Sequence, residues 1–192
     1  MGVNNGHHEP EGLSDNELTD DEVVGCVQKG NPKAFEILVQ RYEQKIFKFF
    51  FRLMGNASDS EDLTQEVFVS AFRALSKYQS RGFFGAWLFT IARNTSRNFS
   101  GKKIRDSKLL SPQEIPDDVQ DPTSAIQPSV QDDVQTMLAP LPEEYRRVMI
   151  LKYVSGLTCE EISKVETISE SAVKQRLHRA REMIRELRKP ES

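Results

Sequence analysis

Residues 157 to 181, LTCEEISKVETISESAVKQRLHRAR, decide how this chain is read. Thr158 and Glu161 stand in capping-box spacing, so a short helix is expected to start at Thr158 with Ile162 and Val165 turned inward. Ser169 is the expected cap of a second helix. Along that helix Val173, Leu177, Ala180, Ile184 and Leu187 recur at helical spacing and are expected to be buried, which leaves Ser171, Lys174, Gln175 and His178 on the open face. Two short helices, the second polar outside and ending in a basic run, read as a helix-turn-helix, and duplex DNA is the expected ligand. The shorter polar groups would meet base edges in a major groove, while Arg176, Arg179 and Arg181 would grip phosphates. The bland alternative is a solvated helix of an ordinary bundle. Charge weighs against it, because from Ala172 to the end there are seven Lys or Arg against three Glu, although the chain as a whole carries a net charge of -3.

That mean hides segregation. Residues 1–24 hold seven acids and no base, residues 25–105 fourteen bases and six acids, residues 106–139 seven acids and one base, and the remainder eleven bases and nine acids. Two basic bodies are therefore separated by an acidic, proline-bearing connector. The 192 residues suit two small domains, bounded as 1–18 (an acidic tail), 19–105, 106–139 (the connector) and 140–189. The tail has the composition of a disordered segment. Its start has neither the basic n-region nor the apolar core of a signal peptide, and the most apolar run, Ile46 to Met54, is too short to cross a bilayer, so a cytoplasmic location is expected. Cys26 and Cys159 lie in different bodies and form no CxxC pair, and His7 and His8 have no third ligand nearby. No disulfide, metal or other cofactor is expected.

In the first body, Thr19 and Glu22 make a second capping box before Val23, Val24 and Val27, with Gly30 as a stop. Asn31 and Pro32 open a longer helix, whose stripe of Phe35, Leu38, Val39, Tyr42, Ile46, Phe49, Phe50 and Leu53 ends at Gly55. Ser58 and Glu61 are expected to cap a third helix with Leu63, Val67, Phe68, Ala71, Ala74 and Leu75 inward. Its other face, Asp62, Gln65, Glu66 and Arg73, is polar, with carboxylates near the helix start, where the helix dipole alone would favour them. After the loop Lys77 to Gly82, a fourth helix places Phe84, Trp87, Leu88 and Ile91 inward and Thr90, Arg93, Asn94 and Arg97 outward. Phe83 and Phe89 fall off both stripes, either as secondary core or as platforms for an unpaired base. No strand pattern appears, so an all-α fold of two helical domains joined by a flexible acidic linker is expected. There is no phosphate loop, HExxH or nucleophile elbow, so no enzyme is expected.

EDLTQEVF (Glu61 to Phe68), AWLFTIARN (Ala86 to Asn94) and LPEEYRRVMILKY followed by LTCEEIS (Leu141 to Ser163) together resemble the sigma-70 family of RNA polymerase sigma factors, in its two-domain extracytoplasmic-function (ECF) group. The resemblance implies a subunit that binds core RNA polymerase through its largest and second-largest subunits and directs it to promoter DNA, with an anti-sigma factor as a further partner in many relatives. By position it implies polymerase docking at Glu61, Asp62, Gln65, Glu66 and Phe68. It implies capture of the single-stranded −10 element by Tyr78, Ser80, Arg81 and Phe83 with Arg93, Asn94, Arg97, Lys102 and Lys103. It implies binding of the duplex −35 element by Thr158, Ser169, Ser171, Lys174, Gln175, Arg176, His178 and Arg179. The acidic connector would thread the polymerase's RNA path. The chain departs from the pattern at Glu166 and Thr167, where a Leu-Gly turn is usual, and at Asn98 and Gly101, where Asp and Arg are common. The rival readings are a regulator that binds an operator unaided and a helical adaptor that binds only protein.

Overall fold

A computed structural model of the chain describes residues 18–79, 82–109 and 130–188. Eight α-helices appear among them: α1 Asp20–Gln28, α2 Phe35–Met54, α3 Ala57–Ala74, α4 Phe84–Leu109, α5 Val130–Leu138, α6 Glu143–Met149, α7 Cys159–Glu166 and α8 Glu170–Leu187. No strand occurs among the described residues. The N-terminal tail with His7 and His8, and the connector between 110 and 129, lie outside them.

The local signals act where they were read. Thr19 and Thr158 both close capping boxes, the Glu22 and Glu161 carboxylates accepting the Thr N–H at 2.7 and 2.8 Å. Hydrogen bonds from the Thr19 backbone and hydroxyl hold the Glu22 carboxyl below its usual range. α2 follows a short 3-10 turn, Pro32–Ala34, and stops at Gly55, whose left-handed φ of 75° lets its N–H return to Phe51 O at 2.8 Å. The third helix corrects the sequence reading. Its cap is Asn56, whose side chain accepts the Asp59 N–H at 2.8 Å, so Ser58 falls inside the first turn. Ser60 and Thr64 can then be buried, because their hydroxyls donate to the carbonyls of Asn56 and Ser60 one turn back.

α2, α3 and α4 pack into a bundle braced by α1, with Phe35 edge-on to Phe68 and Phe49 edge-on to Phe89. Phe89 is fully buried and belongs to this core rather than to a surface platform. α4 packs against both α3 and α7, and its buried side chains Phe84, Ala86, Leu88, Phe89 and Ala92 span a wider arc than the expected stripe, in which Trp87 and Ile91 are only half-buried.

A helix precedes residue 140, where the second body was expected to start. α5 lies inside the stretch read as a flexible linker, and its Gln135 amide donates to Arg52 O at 3.4 Å. Arg146, on α6, donates to Leu53 O at 3.3 Å, so donors from the second body meet the last carbonyls of α2. α6 winds into a π turn, Ile150–Val154, before α7. α6 and α7 both pack on α8, through Val173, Leu177, Ala180 and Ile184. Leu187, expected in that stripe, is 59% exposed, because the last turn of α8 runs past the helices that cover the rest. One connected apolar core runs through both bodies.

Candidate functional site

Three surfaces carry the residues singled out in the sequence. The first is the outer face of α3, where Glu61, Asp62, Gln65, Glu66 and Arg73 are all exposed. A shallow cleft runs between it and α2, lined by Glu43, Gln44, Phe47, Glu61, Thr64 and Gln65. Phe68 does not share this face. It is buried against Phe35, as its place in the apolar stripe requires. The α2 contribution went unread, although Phe47 stands one turn beyond Glu43 and off the core stripe of its helix. Its ring stacks on Phe51 at 5.9 Å.

The second surface surrounds the start of α4. A cleft of about 460 Å³ is lined by Lys77, Tyr78, Gln79, Phe83, Ala86, Trp87, Thr90 and Lys164, a size within the range of about 300–1,000 Å³ common for small-molecule pockets. Tyr78 packs on Trp87 and Phe84 with centroid distances of 4.8 and 5.7 Å. Asn94, Arg97 and Lys102 are exposed farther along the helix. Ser80, Arg81 and the Lys103 side chain lie outside the described residues. Two members of this surface meet the second body: the Lys164 ammonium lies 3.1 Å from the Phe83 ring centroid, and Arg93 faces Glu166 at 3.7 Å with only 16% of its side chain exposed.

The third surface is the outer face of α8. Ser171, Lys174, Gln175, His178 and Arg179 are exposed, and Arg176 is half-buried. Thr158 and Ser169 are exposed too, but both act as helix caps, Ser169 accepting the Ala172 N–H at 3.2 Å. Lys174 and Arg176 pair with Glu170 and Glu144 at 3.5 and 3.2 Å. Such surface pairs hold long side chains in place at little net energy, and DNA can take them over.

Between the second and third surfaces sits Glu166. Sequence marked it only as a departure from a pattern, yet it is buried at a meeting of three arginines. Arg147 grips it through Nε and Nη2 at 2.7 and 3.0 Å, Arg93 approaches from α4, and Arg176 stands 4.0 Å away. Burial works to lower the Arg147 pKa, but the hydrogen bonds and charge of Glu166 outweigh it and the pKa is raised. Thr167, next in the turn, takes a left-handed φ of 57°. Glycine favours that conformation, and a β-branched residue there is strained.

Residues 38–105 match the Sigma-70 region 2 family and residues 131–184 the Sigma-70, region 4 family. The chain is 31% identical to the ECF RNA polymerase sigma factor SigW of Bacillus subtilis, over 83% of this chain and 91% of that protein. It is 30% identical to the RNA polymerase sigma-H factor of Pseudomonas aeruginosa, over 86% and 91% respectively. In fold it is similar to the sigma factor RpoE solved with the anti-sigma factor NepR from Bartonella quintana. That match has a TM-score of 0.63 at 24% identity, covering 81% of this chain and 96% of the other. No described helix is long and apolar enough to cross a membrane. Two family matches in the order region 2 then region 4, with relatives matched over most of their length, place the chain in the sigma-70 family as an ECF sigma factor, a transcription initiation factor.

Proposed function

We propose that each of the three surfaces performs one step of promoter engagement. The outer face of α3, with Glu43, Gln44 and Phe47 across the cleft, docks on core RNA polymerase. The observation that carries this is that Asp62, Gln65 and Glu66 share an exposed face which the apolar core does not use. A helix presents such a row to a basic partner through hydrogen bonds and charge at once. The Tyr78, Phe83 and Trp87 cleft takes an unstacked base of the −10 strand while Asn94, Arg97 and Lys102 follow its backbone; stacking contributes about 1 to 3 kcal/mol per base. α8 enters the major groove of the −35 duplex, with Lys174, Gln175 and His178 at base edges and Arg176 and Arg179 at phosphates. The divisions 19–105 and 140–189 correspond to these tasks, with α5 as an added brace. The chain itself performs no bond chemistry; the polymerase supplies it, and the factor works in the cytoplasm where promoters are. An anti-sigma protein, such as the one solved with RpoE, is the matching class of regulatory partner.

Arg93 belongs to the second surface yet is turned toward Glu166, with its buried Nε lacking a hydrogen-bond partner among the described residues. The seam between α4 and α7 therefore includes a charge contact too long for a hydrogen bond. Base capture requires that seam to part.

Footprinting with and without core polymerase tests the reading against an operator-binding regulator. Protection of paired upstream and downstream elements only when core is present is expected. Equal protection by the chain alone would mean a stand-alone regulator.

A further inference from the structure

The base-capturing cleft is held by groups that lie outside it, on α1. The Asp21 carboxylate accepts from the Gly82 N–H at 2.7 Å through one oxygen and from the Tyr78 hydroxyl at 3.2 Å through the other. About two turns farther along the same face of α1, the Gln28 side-chain amide donates to the carbonyls of Leu75 and Tyr78, both at 2.9 Å. Four bonds from two α1 side chains thus hold the chain on both sides of the loop. Gly82 has a left-handed φ of 72°, a conformation that frees its N–H to point back toward α1 without a Cβ penalty.

These contacts set the cleft directly. Tyr78 is one wall of it, and Phe83, another wall, follows Gly82 in sequence. With its hydroxyl held by Asp21 and its carbonyl by Gln28, Tyr78 has its ring angle against Trp87 and Phe84 fixed. α1 is itself anchored independently of the loop, since Asp20 accepts from Arg41 at 2.8 Å and from the Tyr42 hydroxyl at 2.5 Å. Burial and the hydrogen bond to Asp20 push the Tyr42 pKa up, so its hydroxyl stays a donor. All these bonds lie within the first body and none has a partner on α7.

We propose that Asp21 and Gln28 are positioning residues for −10 recognition: without touching DNA, they hold Tyr78 and Gly82 so that the cleft accepts one base and rejects others. This rests on the assignment of the cleft as the base-capturing site. Discrimination depends on where rigid walls stand, whereas affinity for core polymerase and for the −35 duplex involves other surfaces, so the residues should affect selectivity alone.

The test uses holoenzyme assembled from the full chain and core polymerase, with single-stranded DNA randomised over a short segment and enrichment read by sequencing. Asp21→Ala and Gln28→Leu are each expected to lower base discrimination at one or two adjacent positions by about tenfold, the scale of losing hydrogen bonds to a charged or buried partner. Binding to core and to a −35 duplex should stay at the wild-type level. Asp21→Asn, which keeps an acceptor for the Gly82 N–H, is expected to recover most of the discrimination; a general loosening of the fold would instead lower core binding and melting temperature in step. Should Asp21→Ala melt early, Gln28→Leu and Asp21→Asn carry the comparison. Wild-type discrimination in the α1 variants, with loss of it in Tyr78→Ala, overturns the positioning role and leaves the cleft assignment standing. Wild-type discrimination in Tyr78→Ala and Phe83→Ala as well overturns both.

Discussion

A carboxylate out of water is costly unless its charge is met, and Glu166 is met chiefly by Arg147, with Arg93 and Arg176 nearby. Removing one partner leaves the other buried and uncompensated. Glu166→Ala is therefore expected to destabilise the chain by about 3 kcal/mol, the lower end of the range for broken buried pairs, because Arg147 keeps a second bond to Glu143 at 2.5 Å. Replacing both members, Glu166→Leu with Arg147→Met, is expected to restore most of that loss, since apolar side chains of similar volume need no solvation. Urea unfolding of the two variants checks this: a double variant as unstable as Glu166→Ala would mean the charge itself is required. At α8 the corresponding expectation concerns recognition. Lys174→Ala and Gln175→Ala in holoenzyme should each weaken −35 binding by about 1 to 3 kcal/mol in a way that depends on the base opposite. Equal weakening on every −35 sequence would move these side chains from bases to phosphates.

Helix starts show what a sequence can and cannot yield. A capping box is a contact between residues three apart, so Thr19 with Glu22 and Thr158 with Glu161 could be read directly and occur as read. The start of α3 was read at Ser58 and Glu61, but the cap is Asn56, whose side chain reaches Asp59 N–H, and Ser58 and Glu61 already lie inside the helix. Asn56→Ala is expected to cost about 1 kcal/mol, whereas Ser58→Ala should leave the melting temperature nearly unchanged. Core stripes of α2 and α8 were legible from their period, except Leu187, beyond the reach of its neighbours. Features that depend on a second element were not legible. Phe89 is core because α2 supplies Phe49, Arg93 is half-buried because α7 lies over it, and the Asp21 bonds join residues far apart in sequence. α5 escaped notice because its acidic residues resemble those of the connector before it. Exposed polar faces were found, since periodicity alone turns Asp62, Gln65 and Glu66 outward, but their α2 neighbours Glu43, Gln44 and Phe47 required the fold.

The two bodies close on each other through Lys164 over Phe83 and Glu166 against Arg93, a contact that covers part of the surface proposed to take the −10 strand. Thr90→Cys with Lys164→Cys places one thiol on each side of the shared cleft, after Cys26 and Cys159 are changed to Ser. Joining the two thiols with a short, reducible thiol crosslinker is expected to stop holoenzyme opening a promoter and reduction to restore it; full opening by the crosslinked form would show that the seam need not part. For the whole molecule the central claim is docking on the polymerase. Asp62 and Glu66 are exposed and outside the core, so reversing both to Lys should leave folding intact. Reversal of charges at a hydrogen-bonded interface, in contrast, costs about 2 to 5 kcal/mol per buried pair. The decisive measurement is the affinity of the Asp62→Lys, Glu66→Lys variant for bacterial core RNA polymerase, taken beside its thermal melt. The account predicts at least about tenfold weaker binding with an unchanged melt. Wild-type affinity in a normally folded variant would contradict it.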